Sequence, residues 1–149
     1  MAFVTLTPFL AFMMAHSAIC LQSNTTHVEI PAVPLCELLR NSVQYSGKTV
    51  TTTARITRYK HGTGLWDPAC PNHGADLETQ ESQATSPGML QLDEALRTFG
   101  MSDHPIIATL IGTWLGKQHT DNQFLMQPRI VFRVKDASNI GRSQTVERP

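Results

Sequence analysis

The sequence predicts a mainly β fold, a barrel of five strands accompanied by two helices. Three observations carry this. Lys48 to Lys60 is dominated by β-branched residues that alternate, with Val50, Thr52, Ala54 and Ile56 on one face and Thr49, Thr51, Thr53, Arg55 and Thr57 on the other. Ile106 to Leu115 is apolar on both alternating faces, the pattern of a strand covered on both sides. Ile130, Phe132 and Val134 alternate with Val131, Arg133 and Lys135, the pattern of a half-exposed strand.

The remaining elements follow in chain order. Leu21 to Ala32 is a mostly polar lead-in in which His27-Val28-Glu29-Ile30 alternates enough for a short edge strand. From Pro34 the spacing turns helical, since Leu35, Leu38, Leu39 and Ser42 share a face and Cys36 lies beside it; Pro34 suits a first turn and Gly47 ends the helix. After the long first strand, Gly62-Thr63-Gly64 marks a turn into a short strand at Leu65-Trp66, which Pro68 ends. Ala75 to Thr79 reads as a third strand and Gln80 to Gly88 as an exposed loop. A second helix then places Leu92, Ala95, Leu96 and Phe99 at i, i+3, i+4 and i+7, with Asp93 and Glu94 toward its positive end and Gly100 as its stop. Lys117 to Gln123 is a hairpin loop, Pro128 makes the start of the last strand an edge or a bulge, and Ala137 to Pro149 reads as a disordered tail.

The 149 residues suffice for one domain with a real core. Twelve basic and twelve acidic residues cancel, which leaves no global field to attract nucleic acid or an anionic membrane. Phe3 to Ala15 is almost continuously apolar and no Asp, Glu, Lys or Arg precedes Glu29, so residues 1–20 read as a signal peptide: the run is short for a membrane span and suited to an export leader. Cleavage after Cys20 and cleavage after Ser17 both satisfy the small-residue rule. Ser17-Ala18-Ile19-Cys20 hints at a lipoprotein box, against which the bulky Ile19 argues. The expected address is extracytoplasmic, periplasmic or secreted, with no membrane span once the leader is gone. That leaves Cys36 and Cys70, and two cysteines in an oxidising compartment usually pair.

Between Cys36 and Cys70 the chain carries a recognisable pattern: Cys36-x-Leu38, then Tyr45-x-Gly47-Lys48-x-Val50, a strand, and Asp67-Pro68-x-Cys70. Over roughly residues 33–136 the chain resembles a group of small exported bacterial proteins of unestablished activity. It departs from them at Ala54, where they favour glycine. The resemblance implies an OB-like five-stranded barrel with an added N-terminal helix and a helix between the third and fourth strands, and the order of the elements agrees with that arrangement.

Four chemistries were weighed on the residues. His61, Asp67, Cys70 and His73 lie close enough in sequence to suggest a zinc site, but their spacing matches no familiar ligand pattern. Cys70 with His73 is the one Cys/His pair close in sequence, and a cysteine held in a disulfide is no nucleophile. Gly62-x-Gly64 lacks the following helix that a phosphate loop needs. Arg55, Arg58, Tyr59, Lys60 and His61 cluster on the first strand with Trp66 just beyond, as in OB domains that bind single strands, yet the balanced charge and exported address weigh against nucleic acid. The expected function is therefore an exported, non-catalytic binding or structural module of the cell envelope, acting without a cofactor on an unspecified ligand or protein. Tyr59, His61 and Trp66 are the candidate contact residues, near a rim formed by the loops Lys60–Gly64 and Lys117–Gln123.

Overall fold

The computed structural model describes residues 29–80, 85–99, 104–118 and 128–143. The expected leader over residues 1–20, Leu21 to Val28, most of the Lys117–Gln123 loop and residues 144–149 lie outside them. In chain order the elements are α1 (Leu35–Arg40), α2 (Ser42–Tyr45), β1 (Thr49–Tyr59), β2 (Gly62–Trp66), β3 (Gly74–Thr79), α3 (Pro87–Phe99), β4 (Ile106–Gln118) and β5 (Arg129–Arg142). The fold is mainly β, with helices at the N-terminal side and between β3 and β4, as the sequence predicts.

The five strands form one sheet that closes on itself in the order β1-β2-β3-β5-β4 and back to β1. Four of the junctions are antiparallel; β3 and β5 run parallel, from Asp76 opposite Val131 to Thr79 opposite Val134. Closure requires long strands to curve, and the β4–β5 ladder shifts register between Ile107 and Thr109, between Ile111 and Gly112 and between Trp114 and Gly116. Such irregularities bend a strand and add twist. Because successive side chains point to opposite faces, one set of β1 residues, Val50, Thr52, Ala54 and Ile56, is buried inside the ring as expected. They meet Leu65, Leu110, Trp114, Phe132 and Val134, with Leu35 and Leu38 from α1 and Met89, Leu92 and Leu96 from α3 completing the core. Ala54 faces this interior, so the position where the resembling proteins favour glycine is here a packing position.

Several expectations are corrected. The first helix is two short ones, broken at Asn41 (φ −109°, ψ 35°), although Leu35, Leu38 and Ser42 still point inward. A hydrogen bond from Tyr45 to Glu37 ties the two pieces together. Of the edge strand expected at His27–Ile30, His27 and Val28 lie outside the described residues; just beyond it the chain makes a parallel bridge of Ala32 to Thr51, supported by Val33 N–H to Thr51 O (2.8 Å) and Thr51 N–H to Pro31 O (2.9 Å). Helix α3 begins at Pro87, earlier than its apolar spacing alone suggested, because the Ser86 hydroxyl accepts the Met89 N–H (3.2 Å) and caps it. Asp93 therefore sits mid-helix and pairs with Arg97 one turn on (2.6 Å) instead of facing the positive end.

Strand β4 is fully buried on one face only: Ile106, Ala108, Leu110 and Trp114 point inward while Ile107, Thr109 and Ile111 are half-covered. A closed ring has one interior, which accounts for this. The boundary at Asp136 and the disordered tail from Ala137 are also corrected, since β5 continues to Arg142, Ala137 is buried, and Ile106 pairs with Arg142. The register shifts in this ladder break the simple alternation that would have announced the extension.

Helix α3 lies against this extension. At Gly88 an added Cβ would overlap the Ala137 carbonyl oxygen and come within 2.6 Å of Asp136 Oδ1, so only glycine lets the helix approach so closely. Ser86 Oγ also donates to Asp136 Oδ1 (2.9 Å), fastening the same junction.

Candidate functional site

The outward faces of β1, β2 and β3 form a short grid. Arg55 stands opposite Trp66, Thr57 opposite Gly64 and Tyr59 opposite Gly62; on the other side Trp66 stands opposite Gly74 and Gly64 opposite Asp76. Gly62 and Gly64 thus leave the outward face of β2 almost bare beside Trp66. The expected turn at Gly62-Thr63-Gly64 is strand, the turn itself falling at Lys60-His61. The Tyr59 ring occupies the space the glycines vacate, so that a Cβ at Gly64 would lie 3.1 Å and one at Gly62 3.3 Å from it. An aromatic ring laid over glycine in a neighbouring strand shields backbone that would otherwise be exposed.

From that position Tyr59 donates its hydroxyl to Asp76 Oδ1, while Arg129 Nε donates to Asp76 Oδ2. The chain thereby links β1, β3 and β5 across the sheet. One step further along the parallel ladder Arg133 pairs with Glu78 (2.8 Å). Burial and the hydrogen bond to Asp76 push the Tyr59 phenol up from 10 to about 12, and the hydrogen bond to Asp76 raises Arg129 further above its ordinary value.

Trp66 is fixed from two sides. Its Nε1–H donates to Thr57 Oγ1 (2.9 Å), and the Arg55 guanidinium lies 5.2 Å from its ring centroid. Arg55 Nη1 is shielded from solvent and has no hydrogen-bond partner among the described residues.

Beside this grid lies a cleft of about 1000 Å³. It is lined by strand residues, among them Thr57, Tyr59, Gly64, Trp66, Asp76 and Arg129, and by Pro68, Pro71, Asn72 and His73 of the β2–β3 connection. That connection forms a wall of its own. It is shaped by the Asp67 turn, in which Ala69 N–H donates to Asp67 Oδ1 (2.8 Å) and Cys70 N–H to the Asp67 carbonyl (3.0 Å). A disulfide from Cys70 to Cys36 anchors this wall to α1, with the two Cα atoms 5.7 Å apart.

Of the expected contact residues, Tyr59 and Trp66 line the cleft, whereas His61 sits exposed at the β1–β2 turn outside it. Of the zinc alternative on His61, Asp67, Cys70 and His73, Cys70 is bonded to Cys36, Asp67 Oδ1 accepts a hydrogen bond in its own turn, and no group of three or more His, Cys, Asp or Glu able to hold a metal occurs among the described residues. The same bond removes Cys70 as a thiol nucleophile. Asp76 and Arg129 escaped the sequence reading because they are 53 residues apart and meet only through the parallel β3–β5 ladder. No helix among the described residues is long and apolar enough to cross a membrane. Comparison of the chain with protein-family models, with curated proteins and with solved structures gives no match.

The Tyr59 link has a pH signature. A group whose pKa is higher in the folded chain holds its proton more tightly there, so its stabilising contribution is complete below pH 10 and declines as pH rises through about 12. Spectrophotometric titration of phenolate absorbance is expected to show Tyr59 ionising well above an ordinary tyrosine. Tyr59→Phe should remove the component near pH 12 and leave that of Tyr45, which its hydrogen bond to Glu37 also raises; a wild-type titration in which both tyrosines ionise near pH 10 would contradict the hydrogen-bonded geometry.

Proposed function

We propose that this chain is an exported, non-catalytic binding module of the bacterial cell envelope, an OB-like barrel related to the small exported proteins it resembles. Support for the barrel comes from the strand order β1-β2-β3-β5-β4 closing on β1, the parallel β3–β5 junction and a helix between β3 and β4, features in keeping with an OB arrangement. The observation that carries the functional reading is the cleft on the β2–β3 flank, where Trp66 and Tyr59 are each held in place by hydrogen bonds before any ligand arrives. Side chains fixed in advance lose less freedom on binding. A disulfide between elements far apart in sequence suits an oxidising compartment.

Two experiments test this reading. Material secreted from cells carrying the full chain should have a mass short of the leader and no titratable thiol; a retained leader with two reactive thiols would refute export. Amide shifts of the labelled protein should then be followed against a panel of short peptides, single-stranded oligonucleotides and neutral oligosaccharides. At least one class should produce saturable shifts on β2, β3 and the Asp67–His73 connection. Failure of all three to move those signals, or chemical turnover of a panel member, would overturn the binding-module reading.

A further inference from the structure

We infer that the cleft's ligand is an uncharged saccharide, an inference that rests on the reading of the cleft as a binding site. The charge of the lining points this way first. Arg129 and Asp76 neutralise each other and the Tyr59 phenol is uncharged at neutral pH, so the site offers no excess field for a phosphate backbone or a charged peptide. Of the nearby cations, Arg58 and Lys60 are not part of the lining, and Arg55, also outside it, is held against the Trp66 ring.

The shape of the polar groups points to hydroxyls. A carboxylate has about four lone-pair sites, and Asp76 commits one oxygen to Tyr59 and the other to Arg129, leaving acceptor capacity on both. A guanidinium has five N–H donors, more than its contact with Asp76 consumes. Asp76 and Arg129 therefore present acceptors and donors side by side, an arrangement that matches vicinal hydroxyls, each of which both gives and takes a hydrogen bond. Asn72 of the β2–β3 connection supplies an amide of the same dual character.

The apolar surface completes the match. A pyranose ring presents C–H groups on its faces and hydroxyls around its edge, so it needs a flat aromatic surface next to polar groups. Trp66 is that surface: Arg55 lies against its ring, Tyr59 covers Gly62 and Gly64, and its β3 neighbour Gly74 adds no side chain beside it. Strand addition by a peptide is disfavoured here, because β2 at Gly64 to Trp66 already pairs with β1 on one edge and β3 on the other. The cleft volume of about 1000 Å³ is at the upper end for small-ligand sites, large enough for a short chain of sugar rings.

The test uses maltotetraose and chitotetraose as probes, with the full mature chain, calorimetry for affinity and amide shifts for location. At least one of them should bind with shifts on β2 and β3, and its affinity should be insensitive to added salt. Trp66→Ala should weaken binding by about tenfold or more, and Asp76→Asn should also weaken it, while Arg97→Ala on α3 leaves it unchanged. Thermal melting and the emission of buried Trp114 check that each variant is folded. Binding that falls steeply with salt, or that survives Trp66→Ala in a folded protein, would overturn the inference. So would silence from both saccharides; if peptides or oligonucleotides shift the same signals, the cleft remains a binding site with another ligand, and if they do not, the module reading fails as well.

Discussion

Replacing Cys36 and Cys70 together with serine is expected to lower the unfolding free energy by about 3–4 kcal/mol, and the melting temperature by on the order of 15–20 °C. The two cysteines are 34 residues apart in sequence, so the cross-link removes a large loop from the unfolded ensemble. A domain of this size has only ~5–15 kcal/mol in total. The structure adds a local consequence, because Cys70 lies in the connection that carries Pro68, Pro71, Asn72 and His73 along the cleft. Without the bond that wall keeps the Asp67 turn but loses its anchor to α1. Thermal denaturation of the oxidised protein, of the reduced protein and of the double serine variant measures the first effect; amide signals of residues 67–73 measure the second. Equal melting temperatures for oxidised and fully reduced protein would show that the disulfide contributes nothing to the fold.

Trp114→Ala is expected to cost a further kind of stability, about 3–5 kcal/mol, through the cavity it leaves. The side chain is fully buried, its ring centroid is 6.2 Å from that of Phe132, and its Nε1–H donates to Ser42 Oγ (3.1 Å). The backbone of the same residue joins the helical segment to the sheet, with Gly47 N–H donating to the Trp114 carbonyl (2.7 Å) and Trp114 N–H to that of Lys48 (3.0 Å). Ser42→Ala isolates the polar part of this arrangement. It strands a buried indole N–H and should cost about 1–3 kcal/mol, with far less loss of packing. Urea denaturation followed by circular dichroism would decide both. A Trp114→Ala variant less than about 1 kcal/mol below wild type would mean that the core does not pack around this ring as described.

What the sequence made legible was what depends on neighbours in the chain. The inward face of β1 was readable because a period of two survives along the whole strand, and the Cys36–Cys70 pair because those two cysteines remain once a leader is set aside. Tyr59 and Trp66 could be named from aromatic identity next to basic residues. Misreadings arose where a distant element decides. Gly62 and Gly64 look like turn residues until a ring from the adjacent strand is laid across them, and Gly88 looks like the end of a loop until β5 presses against it. Asp76 and Arg129 carry no local signal at all, since their partnership follows from a parallel junction between strands with a helix and β4 between them.

That parallel junction also dictates how the chain must assemble. The β1–β2–β3 meander can form from local hairpins, but the ring is completed only when β4 finds β1, bringing Thr113 to Thr49, and β5 finds β3, bringing Val131 to Asp76. Contacts so remote in sequence incur their loop entropy before they repay it, which places folding in the slow, millisecond-to-second class of β topologies. Until the last junction closes, β3 and β5 each present an open edge, able to pair with another copy of the chain. The Asp76–Arg129 and Glu78–Arg133 pairs straddle that final seam, so the side chains that shape the cleft come together at the step that ends the exposure.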